Sequence, residues 1–118
     1  MALQNIQPLR PNGQTYALSI TNTAHSAVTV LAIDTDQPGY ANLLNLGSVA
    51  VALTFAPAGS SGINTPAFPV DGSPSATIVL PPNMTQPLQV TTPGAAFIVS
   101  GIAAAAGPAL VYITPMAP

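Results

Sequence analysis

The sequence is nearly without charge. One Lys or Arg and three Asp or Glu residues make up 3% of its 118 residues, whereas about 25% is usual in soluble domains. These residues are Arg10, Asp34, Asp36 and Asp71. A single cation cannot contact a row of phosphates or attract an anionic membrane, so the composition argues against nucleic-acid and lipid partners. A surface with so little charge favours permanent contact with other protein surfaces.

Cysteine and tryptophan are also absent. Without cysteine there is no disulfide, thiolate nucleophile or thiolate metal ligand, so stability must come from packing. Residues Met1–Leu9 have no basic flank and no uninterrupted apolar core, and we expect no secretory leader there. The longest weakly polar run, Gly101–Leu110, is much shorter than the roughly 20 residues that a membrane-spanning helix needs.

The sequence does contain enough apolar material for one core. Hydrophobic residues make up 48% of the chain and the mean hydropathy is +0.49. A chain of 118 residues is expected to form a single domain. The 14 prolines would disrupt a helical bundle, but they suit the turns and edges of a β-sandwich.

Several segments alternate between apolar and polar or small residues, which is the pattern of a strand with one buried face. Residues 16–21 alternate in this way, and the clearest alternation runs from Val49 to Phe55. Further strands are predicted at Val28–Ile33, Ala76–Leu80, Leu88–Val90, Phe97–Ile102 and Leu110–Thr114, with Leu3–Leu9 as an edge strand.

Together these segments predict an all-β protein with a single antiparallel β-sandwich, jelly-roll-like and built from about eight short strands. The domain is expected to cover residues 1–118, with an extended N-terminal segment (1–13) and a long Pro/Gly-rich loop (56–75). Residues 34–39 include Asp, Pro and Gly, which favour a turn after the second predicted strand. The Ala, Gly and Pro residues at 103–108 indicate a hairpin connection between the last two strands.

Few residues of the sequence could act in catalysis or bind a metal ion. His25 is the only histidine, and neither a nucleophile motif nor a paired general acid and base accompanies it, so we predict no enzyme and no catalytic residues. Asp34 and Asp36 could offer oxygen atoms to a cation, but Pro38 breaks the calcium-loop pattern, and an Asx turn is the preferred interpretation. We predict no metal site and no cofactor.

Three stretches resemble head decoration (cement) proteins of tailed bacteriophages, which are small virion proteins of sandwich or jelly-roll type. The first runs from Asn45 to Val51 and leads into Phe55. The second runs from Val79 to Asn83, before Leu88–Val90. The third runs from Ala96 to Ile102 and closes with Leu110–Pro115. Together they span roughly the last 60% of the chain.

The resemblance implies a structural protein on the capsid exterior, made in the cytoplasm of a bacterial host. Its partners would be the major capsid protein and itself, as a homodimer or homotrimer. Exposure and proline content suggest that residues 2–11 and the loop reach a capsid subunit or a neighbouring copy. Tyr40 and Phe68 are expected to lie in loops, where a large apolar ring either tucks beneath its loop or anchors an interface. The candidate interface residues are Leu3, Ile6, Leu9, Tyr40, Ile63 and Phe68.

A carbohydrate-binding or receptor-binding module of a head fibre or tail is the alternative. It predicts an aromatic or Asp-lined concave site, for which Tyr40, Asp34 and Asp36 are the natural candidates. Each hypothesis has its own test: a cementing contact with so few charges should be insensitive to salt, and a glycan array without any binding would contradict the alternative.

Overall fold

The computed structural model describes residues 9–60, 65–106 and 109–118. These residues form nine strands and no helix, and no helix able to cross a membrane occurs among them. The strands are β1 (Arg10–Pro11), β2 (Tyr16–Ile20), β3 (Val28–Val30), β4 (Tyr40–Asn45), β5 (Val51–Pro57), β6 (Ile78–Leu80), β7 (Leu88–Thr91), β8 (Phe97–Ala103) and β9 (Ala109–Ala117).

The strands form two antiparallel sheets. In sheet A the order is β2, β9, β4, β7, and β1 pairs with the far end of β9 on the same edge as β2. In sheet B the order is β3, β8, β5, β6. From β2 onward every connection passes from one sheet to the other except β5 to β6. This is the strand order of a jelly roll, so the predicted fold class is confirmed.

The core lies between the two sheets because the inward positions of the strands are apolar. Val51 and Leu53 alternate inward on β5, and Val111 and Ile113 do so on β9. The ring of Phe97 meets that of Phe55 edge to face, with centroids 5.6 Å apart. Other fully buried side chains are Ile20, Val30, Leu43, Leu80 and Val99.

Two sequence-based expectations are corrected by the structure. Residues 40–45 form strand β4 in the middle of sheet A, so Tyr40 does not lie in a loop. The connection at 103–108 does not close a hairpin, because β8 and β9 belong to different sheets. Strand β1 lies within the N-terminal segment (1–13), and β5 ends at Pro57, within the first two residues of the predicted loop (56–75). Most of the edge strand predicted at Leu3–Leu9 lies outside the described residues.

Candidate interaction surfaces

Eight of the nine described strands of the sandwich carry no charged side chain. Strands β2 to β9 contain no Asp, Glu, Lys or Arg. Arg10 belongs to the short strand β1, and the three aspartates lie in connections between strands. Charged residues normally protect sheet edges and faces against association, and strands β2 to β9 lack that protection.

The outer face of sheet A is composed of half-buried tyrosine, leucine, asparagine and threonine side chains. Leu44 of β4 lies opposite Tyr112 of β9, and Asn42 lies opposite Thr114. The Oδ1 atom of Asn42 is inaccessible to solvent and has no hydrogen-bond donor among the described residues. This face therefore combines apolar surface with an unmatched polar atom, which is unlike a fully solvated sheet face.

A bulge interrupts the edge of sheet A between β1 and β2. Residues 12–15 lie opposite Thr114 and Pro115 of β9, since Pro11 pairs with Met116 and Tyr16 with Ile113. Asn12 lies within this bulge and is buried, and its backbone N–H donates to Pro115 O over 2.8 Å. A bulge of this kind bends the strand and directs its side chains away from the regular ladder.

Asn12 holds the chain that leaves β3 against the bulge. Its Nδ2 donates to Asp34 O and its Oδ1 accepts from Asp34 N, both over 2.9 Å. Its carbonyl accepts from Ile33 N over 2.8 Å, and Leu31 N donates to the hydroxyl of Tyr16 over 3.1 Å. These bonds draw residues 31–34 away from sheet B, which is why β3 ends at Val30 although the apolar pattern continues to Ile33.

A groove of about 320 Å³ lies beside this corner and is lined by Gly13, Gln14, Tyr16, Leu31, Ala32 and Ile33. Leu31 is 62% exposed and Ile33 is 83% exposed, the highest value among the large apolar side chains described. A Cβ atom on Gly13 would lie 2.7 Å from Leu31 O, so glycine permits the close approach of the two segments. We call this feature the corner groove.

The corner should depend on the side chain of Asn12. Replacing Asn12 with Ala is expected to lower the free energy of unfolding by about 2 kcal/mol, because it leaves the Asp34 N–H and C=O without their partners. Urea denaturation measures the change. The exposed Asn22 provides the matched control, since Asn22→Ala should alter stability by less than about 0.5 kcal/mol. Equal effects of the two substitutions would contradict the role assigned to Asn12.

The six interface candidates are placed as follows. Leu3, Ile6 and Ile63 lie outside the described residues. Leu9 is half-buried and immediately precedes β1. Tyr40 is half-buried on the outer face of sheet A, whereas the half-buried Phe68 lies in the connection between β5 and β6 of sheet B.

Sequence reasoning did not identify the corner groove. Its residues come from two segments that are about fifteen positions apart, and the apolar pattern predicts a strand over Leu31 and Ile33. The Asn12-Gly13 pair is a turn signal that could have marked a break in the chain at this point. The local pattern alone, however, does not show that residues 31–34 pack against this break.

The residues considered for chemistry are occupied by local contacts. His25 Nδ1 lies 2.6 Å from Ser26 O and must donate to it, because a carbonyl oxygen only accepts. The Asp34 carboxylate accepts from Asp36 N over 3.1 Å and from Gln37 Nε2 over 3.3 Å, which is the geometry of an Asx turn. In the described part of the chain, no group of three or more His, Cys, Asp or Glu side chains could hold a metal ion.

Comparison with protein-family models, with curated proteins and with solved structures finds no match to this chain in any of the three.

Proposed function

We propose that this protein is a structural component of a phage virion that binds the outside of the capsid and cements neighbouring major capsid subunits. One observation supports the proposal: a jelly roll whose strands β2 to β9 contain no charged side chain. Jelly rolls are a common architecture of viral shell proteins. The resemblance of the segments around Asn45, Val79 and Phe97 to decoration proteins points in the same direction.

The mechanism is burial of neutral surface repeated over many symmetric copies. Burial of apolar area stabilises a contact by roughly 25 cal/mol per Å². Because the same contact is repeated at every equivalent site of the shell, contacts of modest individual affinity together stabilise the capsid strongly. Because few charges take part, we expect occupancy of the shell to change little between low and high ionic strength.

Glycan binding has less support. Asp34, one of its candidate residues, uses its carboxylate within its own turn. Tyr40 lies half-buried on a strand instead of projecting from a loop. Asp34 therefore offers no free carboxylate to a sugar, and Tyr40 does not project from a loop as the glycan hypothesis predicted.

The test is the copy number of the protein relative to the major capsid protein in purified particles from its source. A ratio of one copy, or a simple fraction of one, per capsid subunit is the expected result. A few copies per particle would instead indicate a fibre or tail component, and complete absence would refute a virion role.

Two charge substitutions test which outer face of the sandwich contacts the capsid. Thr114 lies on the outer face of sheet A, where it shares a hydrogen bond with Thr15, and Thr29 is exposed on β3 of sheet B. An aspartate in a dry interface leaves a buried charge unpaired, so the variant on the docked face should lose occupancy while its thermal unfolding is unchanged. Full occupancy by both Thr114→Asp and Thr29→Asp would exclude docking through either face.

A further inference from the structure

Strand β7 is the outer strand of sheet A and pairs only with β4. Thr92 N donates to Gly39 O over 3.0 Å at the end of this pairing. Hydrogen-bonded pairs alternate with non-bonded pairs along an antiparallel ladder, so the N–H and C=O groups of Gln89 and Thr91 point away from β4. These four backbone groups have no hydrogen-bond partner among the described residues.

The core is also open beside β7. Leu88 lies opposite Leu43 and Val90 lies opposite Ala41, so both side chains are on the core-facing side of sheet A. Val90 packs against the core, whereas Leu88 is 42% exposed. Free backbone groups and an exposed, core-facing apolar side chain thus occur together on one edge strand.

The other three sheet edges are closed at the core. The core-facing Ile20 of β2, Val30 of β3 and Leu80 of β6 have no exposed surface. The edge formed by β1 and β2 is also interrupted by the bulge at residues 12–15, and β6 is followed by two consecutive prolines. Bulges and prolines hinder the addition of a strand, but β7 contains no bulge, proline or charge.

We propose that β7 accepts an antiparallel strand donated by another protein, an extended segment that carries apolar side chains at every second position. Backbone groups that recur at every second residue match the edge of an extended chain. Residues of the donated strand opposite Gln89 and Thr91 lie on the outer face, and their neighbours point to the core side beside Leu88. These neighbours must be apolar, because a polar side chain there would be buried without a partner.

An extended segment fits this edge better than a folded second copy does. A twofold-related β7 could offer only its own Leu88 and Val90 at the open core, and Val90 already packs against its own core. An extended segment is free to place its side chains between the sheets. The proposal does not depend on capsid attachment, since strand addition is measured on the purified chain and cementing on particles.

The first experiment uses two heptapeptides with acetylated and amidated ends, in which valine alternates with threonine. Only the threonines, which lie opposite Gln89 and Thr91, direct their N–H groups at β7. A peptide N-methylated on its valines should therefore bind the full chain and slow hydrogen exchange at the amides of Gln89 and Thr91, as measured by NMR. A peptide N-methylated on its threonines should bind about tenfold more weakly or worse, because its donors are gone.

The second experiment changes one position of β7. Gln89→Pro removes an N–H group that β4 does not use, which an edge strand tolerates, and should raise the dissociation constant of the valine-methylated peptide about tenfold. Gln89→Ala keeps the N–H group and is the matched control, so its affinity should equal that of the wild type. Thermal unfolding checks that both variants fold, and the peptide pair needs no substitution.

Three results would overturn the proposal. The first is failure of the valine-methylated peptide to bind, or equal binding of the two peptides. The second is an equal loss of affinity in Gln89→Pro and Gln89→Ala. The third is slow exchange of the Gln89 and Thr91 amides in the concentrated protein without peptide, because a second copy would then occupy the edge.

Discussion

Replacing Asn45 with Ala should lower the free energy of unfolding by about 3 kcal/mol, because three backbone polar groups, one buried and two partly buried, lose their partner. The side chain ends β4 with no exposed surface. Its Nδ2 donates to Val49 O over 2.9 Å and to Pro81 O over 3.1 Å, and its Oδ1 accepts from Gly47 N over 2.9 Å. One amide thus joins the β4–β5 connection to the end of β6.

Asn42 provides the control on the same strand. Its Oδ1 has no donor among the described residues, so Asn42→Ala removes no hydrogen bond at that atom and should cost less than about 1 kcal/mol. Urea denaturation of both variants measures the difference. Similar losses for Asn42→Ala and Asn45→Ala would show that the hydrogen bonds of Asn45 are not responsible.

Asn45→Asp adds a pH dependence whose sign can be worked out. The ionised carboxylate would face two carbonyl oxygens, whereas the protonated acid can donate to one of them, so folding raises the pKa of the new carboxyl above its unfolded value. The variant should therefore be most stable at acid pH and lose stability as the pH rises through the raised pKa.

Gly39→Ala should be at least as damaging, with an expected loss of about 3 kcal/mol or failure to fold, because the new methyl group has no space. A Cβ atom at this position would lie 2.2 Å from Gly94 O and 2.3 Å from Thr92 Oγ1. The neighbouring backbone cannot move freely, since Thr92 N donates to Gly39 O over 3.0 Å and Thr92 Oγ1 donates to Gly94 O over 2.7 Å.

Gly94→Ala is the matched control, because Gly94 is the residue that a Cβ atom on Gly39 would meet. The nearest atom to a Cβ on Gly94 is Ala96 O at 3.3 Å, so a shift of a few tenths of an ångström accommodates it. Thermal unfolding should show a large fall in midpoint for Gly39→Ala and a small change for Gly94→Ala. Comparable midpoints for the two variants would contradict the steric explanation.

Much of the fold could be predicted because most of its strands have one apolar face. Leu18 and Ile20 on β2, and Val51 and Leu53 on β5, are buried as their alternation indicated. Strand β4 was missed because it carries Asn42 and Asn45, which are unusual in strands, and because its outward positions include a tyrosine and a leucine. The two-residue β1 is too short to show any period.

The candidate surfaces were less predictable because they depend on contacts between distant segments. Residues 28–33 are rich in β-branched residues and are predicted as one strand, yet only the first three pair in sheet B. The hydroxyl of Tyr16 accepts a hydrogen bond from Leu31 N–H, and the carbonyl of Asn12 accepts one from Ile33 N–H. These bonds turn the segment after Val30 away from sheet B. Hydrophobic periodicity does not show whether a segment bonds to the neighbouring strand or to groups elsewhere in the fold.

The order of strands also determines when the protein can fold. Strand β9 lies between β2 and β4 in sheet A, and β8 lies between β3 and β5 in sheet B. Until residues 97–117 have left the ribosome, β2 and β3 therefore have no partner strand, and β4 and β5 can pair only with β7 and β6. Closing such distant pairs is slow, in the range of about milliseconds to seconds for all-β domains. During synthesis the uncharged edges of these strands stay open, and unpaired edges of this kind promote aggregation of incomplete chains.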